Sequence, residues 1–139
     1  MISIASPTEV RSRSQRRVLV VDDDPDSRLL IGAMIEAYLD AVVTLVPTVE
    51  EAIASASRVL PDLVVTDALM PEQDGFDLLR RLRGIARAAR VPVIVATATT
   101  EPALHARLLA AGATAILAKP PTPQQLTRAV GAALASGDD

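Results

Sequence analysis

The sequence predicts an α/β domain, a doubly wound five-stranded parallel sheet with helices on both faces. Three observations carry this expectation. Five short runs rich in Val, Ile and Leu recur along the chain, at Val18–Val21, Val42–Val46, Leu63–Thr66, Val91–Ala96 and Ala115–Leu117. Most are continuously apolar, the pattern of strands buried on both faces of a parallel sheet. Stretches with helical spacing separate them, and such alternation folds into β/α units with right-handed crossovers.

Taken in order, the first strand runs into the acidic stretch Asp22-Asp23-Asp24-Pro25-Asp26. The helix after it places Leu30, Ala33, Met34, Ala37 and Tyr38 on one face, which reads as its core side. The second strand is Val42–Val46. The third leads straight into Asp67, and the helical pattern that follows carries Phe76, Leu79 and Leu82. After the fourth strand, Thr100-Glu101-Pro102 reads as a helix start, with proline in the first turn. Gly112 reads as that helix's stop. The fifth strand precedes a last helix with Leu126, Ala129, Val130 and Ala133 on one face. Residues 1–15 read as a flexible basic tail, in which Arg11 and Arg13, with Arg16 and Arg17 at its boundary, face the single acid Glu9. Residues 16–136 form the domain, and 137–139 a frayed polar end.

Composition narrows the function. The chain has 139 residues and a formal net charge of -3, so one domain is expected and no strong nucleic-acid field is implied. Cysteine is absent, which removes disulfides, thiol nucleophiles and Cys-based zinc sites. His105 is the single histidine. It reads as a helix-surface residue, since one histidine cannot build a His-rich metal site. Tyr38 and Phe76 are the only aromatics, too few to stack single-stranded bases. No apolar run reaches membrane-spanning length, and the N-terminus lacks a signal-peptide core. The expectation is a cytoplasmic domain without direct nucleic-acid or membrane binding. The cluster Arg80, Arg81, Arg83, Arg87 and Arg90 reads as a solvated face.

Chemistry is expected at the carboxyl ends of the strands, where open α/β sheets bind ligands. Asp22 and Asp23 follow the first strand, Asp67 the third, Thr97 the fourth and Lys119 the fifth. Each has an ordinary alternative. Asp24 or Asp26 can cap a helix, Asp67 can be a loop residue, and a lone lysine is usually solvated. Their convergence on one edge argues for a site. Crowded carboxylates must protonate or bind a cation, and an all-oxygen set favours Mg²⁺, Mn²⁺ or Ca²⁺ over zinc. A hydroxyl and an ammonium beside such a site suit phosphoryl transfer, with a carboxylate as acceptor.

These residues carry a resemblance. Val18-Leu-Val-Val-Asp-Asp-Asp-Pro25, Asp67-Ala-Leu-Met-Pro71 with Asp74-Gly75-Phe76, Val91-Pro-Val-Ile-Val-Ala-Thr97-Ala98, and Gly112-Ala113 followed by Lys119-Pro120 resemble the response-regulator receiver domain of two-component signalling. The resemblance spans residues 16 to about 135 and is closest to stand-alone, chemotaxis-regulator-like receivers. It implies a flavodoxin-like sheet of order 2-1-3-4-5. It implies that Asp67 is the phosphoacceptor and that Mg²⁺, with Mn²⁺ as a substitute, is held by Asp23, Asp67 and the Leu69 backbone carbonyl. Asp22 would act through a metal-bound water. Thr97 would contact the phosphoryl group and move toward it, Lys119 would pair with it, and the Lys119–Pro120 bond would be cis. Pro71 and Gly75 would shape the turn after Asp67. The implied donor is a histidine kinase or histidine phosphotransfer protein, and the implied output is a conformational signal to a partner protein.

The sequence departs from the family at its switch. Similar domains usually carry Tyr or Phe three residues before the lysine, and here that position is Ile116. The residue after Lys-Pro is commonly aromatic, and here it is Pro121. Output is therefore expected through the helix at 101–111 and the strand edge. Leu69 and Thr99, two residues after Asp67 and Thr97, flank the path of attacking water in similar domains. An aspartyl-phosphate phosphatase or phosphotransferase is the enzyme alternative, but haloacid-dehalogenase-type enzymes want an acid where Leu69 stands. A degenerate receiver used only for protein interaction is the other alternative. No glycine-rich phosphate loop is present.

Overall fold

The structure, a computed structural model, describes residues 15–137. Residues 1–14 of the expected tail, and residues 138–139, lie outside the described residues. Five strands alternate with five helices: β1 Arg16–Val21, α1 Pro25–Tyr38, β2 Ala41–Val46, α2 Val49–Arg58, β3 Leu63–Asp67, α3 Gly75–Arg83, β4 Val93–Thr97, α4 Pro102–Ala110, β5 Ala115–Ala118 and α5 Pro123–Gly137. All strands pair in parallel, in the order β2-β1-β3-β4-β5. The expected flavodoxin-like order is the observed one.

Strand alternation splits the core into two layers. Leu19, Val21, Val64, Val93 and Val95 face α2, α3 and α4, packing with Ala52, Ala56, Leu78, Leu79, Leu82 and Leu108. Val18, Val20, Leu63, Val65, Ile94 and Ala96 face α1 and α5, packing with Ile31, Ile35, Leu126, Val130 and Ala133. β1 and β3 therefore bury side chains on both faces, which is why their sequences read as unbroken apolar runs.

Helix starts follow local chemistry. Asp24 caps α1 by accepting from the Asp26 amide, with Pro25 in the first turn. Thr48 caps α2 through the Glu51 amide. Asp74 and Asp77 form a reciprocal capping box on α3. Thr122 and Gln125 exchange the same pair of bonds at α5, at 3.0 and 3.1 Å. α4 starts at Pro102 with no side-chain cap from Glu101. Gly112 stands just past the end of α4 with φ of 113°, a conformation that needs no Cβ.

Several expectations are corrected. The strand expected at Val91 begins at Val93. Pro92 has no amide to donate, and the Val91 carbonyl is taken by Arg83 Nη1 at 2.8 Å. Arg16 and Arg17 are strand residues paired with Ala41 and Val42. α5 continues through Gly137, into the expected frayed end. The largest correction concerns α1. Its expected core face is mostly solvent-facing: Leu30 is 44% and Tyr38 62% exposed, and Ala33 and Ala37 are also exposed. Ile31 and Ile35 face the sheet instead. The helix is apolar on both sides, so spacing alone selects the wrong stripe. Ile35→Ala is expected to cost about 2–5 kcal/mol, and Leu30→Ala under about 1 kcal/mol. Urea unfolding midpoints of the two variants check this order.

Candidate functional site

Strand register builds the site. β1 pairs Val21 with Thr66 of β3, so the next residue of each strand, Asp22 and Asp67, lies at the same level of one edge. β4 pairs Thr97 with Ala118 of β5, and the Lys119 amide donates to the Thr97 carbonyl at 3.0 Å. The residues singled out at four strand ends therefore meet at the carboxyl edge of the sheet.

Oxygens of Asp22, Asp23 and Asp67 lie within 4.8 Å of one another. Asp22 is buried, Asp67 half-buried and Asp23 exposed. The Lys119 ammonium bridges two of them, with Nζ 2.7 Å from Asp22 Oδ2 and 2.6 Å from Asp67 Oδ2. Burial alone would pull the lysine pKa down, but the hydrogen bonds and attraction of Asp22 and Asp67 outweigh it. The ammonium is held above its ordinary value. Its electrostatic contribution is complete at neutral pH and is lost only as pH rises through that elevated, strongly alkaline pKa.

The acidic run divides its labour. The other oxygen of Asp22, Oδ1, accepts from the Asp24 amide at 3.0 Å, and Asp24 itself caps α1. Arg28, which no sequence signal marks, donates Nη1 to the Asp22 backbone carbonyl at 2.8 Å. Asp67 Oδ1 accepts from the Leu69 amide at 3.3 Å, while the Leu69 side chain is 57% exposed. Thr97 is buried, and its Oγ1 accepts from the Thr99 amide at 3.3 Å. The Lys119–Pro120 bond is cis, as expected. Ile116 packs against the core layer on the α4 side of the sheet.

Gly75 sets the loop after Asp67. Its amide donates to the Ala68 carbonyl at 2.9 Å. A Cβ there would stand 2.8 Å from the Asp67 carbonyl oxygen and 3.1 Å from Ala68 Cα. Both are backbone atoms that cannot swing aside. Gly75→Ala is expected to lower stability by about 1–3 kcal/mol, which thermal unfolding can read.

Two expectations about basic residues change. Arg83 is not part of a solvated face. It clamps two carbonyls, that of Val91 at 2.8 Å and that of Gly112 at 2.9 Å, and burial lowers its pKa. Arg81 pairs with Glu50 of α2 at 2.6 Å. His105 is half-buried, and its Nε2 lies 2.9 Å from the Thr99 carbonyl.

The donor set fits a hard divalent cation. Three carboxylates face one ammonium, leaving negative charge for a cation to offset, and every side-chain donor in the acidic cluster is oxygen. An acidic pocket with a bridging lysine and a buried threonine thus sits at the carboxyl edge of a 2-1-3-4-5 sheet. The chain belongs to the response regulator receiver domain family, whose model matches residues 18–131. It is thereby a receiver domain of two-component signalling. Such domains bind Mg²⁺ at their aspartate cluster and are paired with histidine kinases.

The chain is 39% identical over 121 residues to an uncharacterised 14.6 kDa protein of Leptolyngbya boryana, covering 87% of this chain and 92% of that one. It is also 39% identical over 112 residues to a gliding motility regulatory protein of Myxococcus xanthus, covering 81% of this chain but 14% of that protein. Among solved structures, it resembles the receiver domain of a sensor histidine kinase from Pseudomonas aeruginosa, crystallised with magnesium in its active-site cleft. The TM-score is 0.80 at 31% identity, covering 88% of this chain and 99% of that one. Among the described residues, no helix is long and apolar enough to cross a membrane.

Proposed function

We propose that this receiver takes a phosphoryl group onto Asp67 from the phosphohistidine of a kinase or phosphotransfer protein, and signals to a partner protein by changing conformation. The observation that carries this reading is the Lys119 bridge between Asp67 and Asp22 inside a three-carboxylate cluster. A structural ion pair needs one carboxylate, whereas here one ammonium meets two, with Asp23 beside them.

Asp23, Asp67 and the Leu69 carbonyl would hold Mg²⁺, with Asp22 acting through a water. Bound there, the cation offsets charge on the phosphoryl oxygens. An Asp67 carboxylate oxygen attacks phosphorus, and the donor imidazole leaves with the electron pair of the broken P–N bond. Lys119 gives up its contact with Asp67 to meet a phosphoryl oxygen. Thr97, at the end of β4, turns its hydroxyl toward another. Loss of phosphate is a separate step. Water attacks the same phosphorus, the P–O bond to Asp67 breaks, and the Asp67 carboxylate leaves as inorganic phosphate is released. In this reading the domain promotes only its own phosphorylation and dephosphorylation.

Exposed apolar side chains on α1 are compatible with docking of a protein donor. Leu29, Leu30 and Tyr38 are 58, 44 and 62% exposed, in the helix that follows Asp22 and Asp23 directly.

Incubation with Mg²⁺ and a small acyl phosphate tests the reading. One added phosphoryl group is expected, and none when the metal is chelated before the donor is added; no uptake under any condition contradicts the reading. Leu69→Asn should also speed loss of the phosphoryl group by several fold. The exposed leucine cannot orient a water, whereas an amide can donate and accept. Decay after rapid removal of the donor measures this.

A further inference from the structure

We propose that His105 is the positioning residue that transmits movement of Thr97 to α4, in place of an aromatic switch. This rests on the reading that Asp67 takes a phosphoryl group and Thr97 turns toward it.

Hydrogen bonds run unbroken from the phosphoryl site to the helix. Thr97 Oγ1 accepts the Thr99 amide at 3.3 Å. Thr99 then holds the start of α4 twice. Its Oγ1 accepts the Glu101 amide at 3.3 Å, and its carbonyl meets His105 Nε2 at 2.9 Å. A carbonyl oxygen can only accept, so Nε2 carries the hydrogen. The His105 amide also makes the first backbone bond of α4, to the Glu101 carbonyl at 3.2 Å. Because Glu101 provides no side-chain cap, Thr99 is the anchor of this helix end.

When Thr97 rotates its hydroxyl toward a phosphoryl oxygen, it releases the Thr99 amide. The Thr99 peptide is then free to reorient, and its carbonyl carries His105 with it. A histidine four residues into the helix moves the first turn, where a surface side chain would move nothing.

The usual alternative route is closed. Ile116 lies opposite Val95 in the β4–β5 register and packs in the same layer as Leu104 and Leu108 of α4. It fills that space with an apolar side chain that has no polar tip to follow a carbonyl. A second contact reaches α4 from the first turn of α3: the Arg107 guanidinium sits 5.0 Å from the ring centroid of Phe76, the residue after Gly75.

Amide hydrogen exchange across residues 97–112, with and without Mg²⁺ and acyl phosphate, tests the proposal in wild type, His105→Ala and His105→Gln. Intact mass on each sample records phosphoryl uptake. In resting His105→Ala, exchange at the start of α4 is expected to rise roughly 3- to 10-fold, the loss of one hydrogen bond. Phosphorylation should then change it no further, while uptake stays within about twofold of wild type. His105→Gln, whose amide can also donate, should restore the phosphorylation-dependent change. If phosphorylated His105→Ala responds in α4 as wild type does, or its resting exchange is unchanged, the proposal is overturned. If wild type takes no phosphoryl group, the function proposed above falls and the transmission role falls with it, whereas normal uptake with an unaltered α4 response in His105→Ala overturns the His105 role alone.

Discussion

Asp67→Asn is expected to abolish phosphoryl uptake from both acyl phosphate and a phosphohistidine donor. The amide that replaces the carboxylate has no anionic oxygen to attack phosphorus, and neighbouring acids do not substitute for it. Asp22 is buried, with both oxygens committed, one to Lys119 and one to the Asp24 amide. Asp23 is exposed at the rim of the cluster. The variant should fold, because the one amide oxygen can still accept from Lys119 or from the Leu69 amide, and Lys119 keeps its pair with Asp22. Circular dichroism should match wild type, while the label falls to background. Uptake that persisted at a substantial fraction of wild type would place the acceptor elsewhere.

Lys119→Arg is the second large effect. The chain has 14 basic residues, of which Lys119 is the single lysine. Its Nζ reaches carboxylates from two strands at 2.6 and 2.7 Å. A compact ammonium does this from one point, whereas a planar guanidinium spreads its donors over a wider fork. The arginine would keep the charge but misplace it relative to the phosphoryl oxygens. Phosphorylation is expected to slow by on the order of 10²-fold, as when one positioned donor is lost from a reacting centre. Stopped-flow or mass-based rates with acyl phosphate measure it. A slowing of less than about threefold would show that charge alone suffices.

How much of this was legible in the sequence depended on the kind of signal. Asp22, Asp67, Thr97 and Lys119 were readable because polar residues end β-branched runs, and a parallel sheet sends all such ends to one edge. The division of the acidic run into cluster and cap was open until Asp24 was seen to hold the Asp26 amide. The buried face of α1 was not legible. Leu29, Leu30, Ile31, Ala33, Met34, Ile35, Ala37 and Tyr38 are apolar nearly all round, and only packing against the sheet chooses Ile31 and Ile35. Arg83 and His105 were illegible for another reason. Their partners are backbone carbonyls, such as that of Gly112, 29 residues from Arg83. A carbonyl belongs to every residue, so no residue type announces it.

Ile116 in place of an aromatic was readable as a departure, but its consequence was not. The structure supplies a bonded path through Thr99 and His105, on the helix where output was expected.

The central claim is that Asp67 is the phosphoacceptor, and locating the added group tests it most directly. Wild-type chain incubated with Mg²⁺ and acyl phosphate, then treated with borohydride, converts any aspartyl phosphate to homoserine. Peptide mass spectrometry should find homoserine at position 67, only when both Mg²⁺ and the phosphoryl donor are present. Homoserine at another aspartate, or a phosphoryl group on a serine, threonine or histidine with position 67 unmodified, would contradict the account.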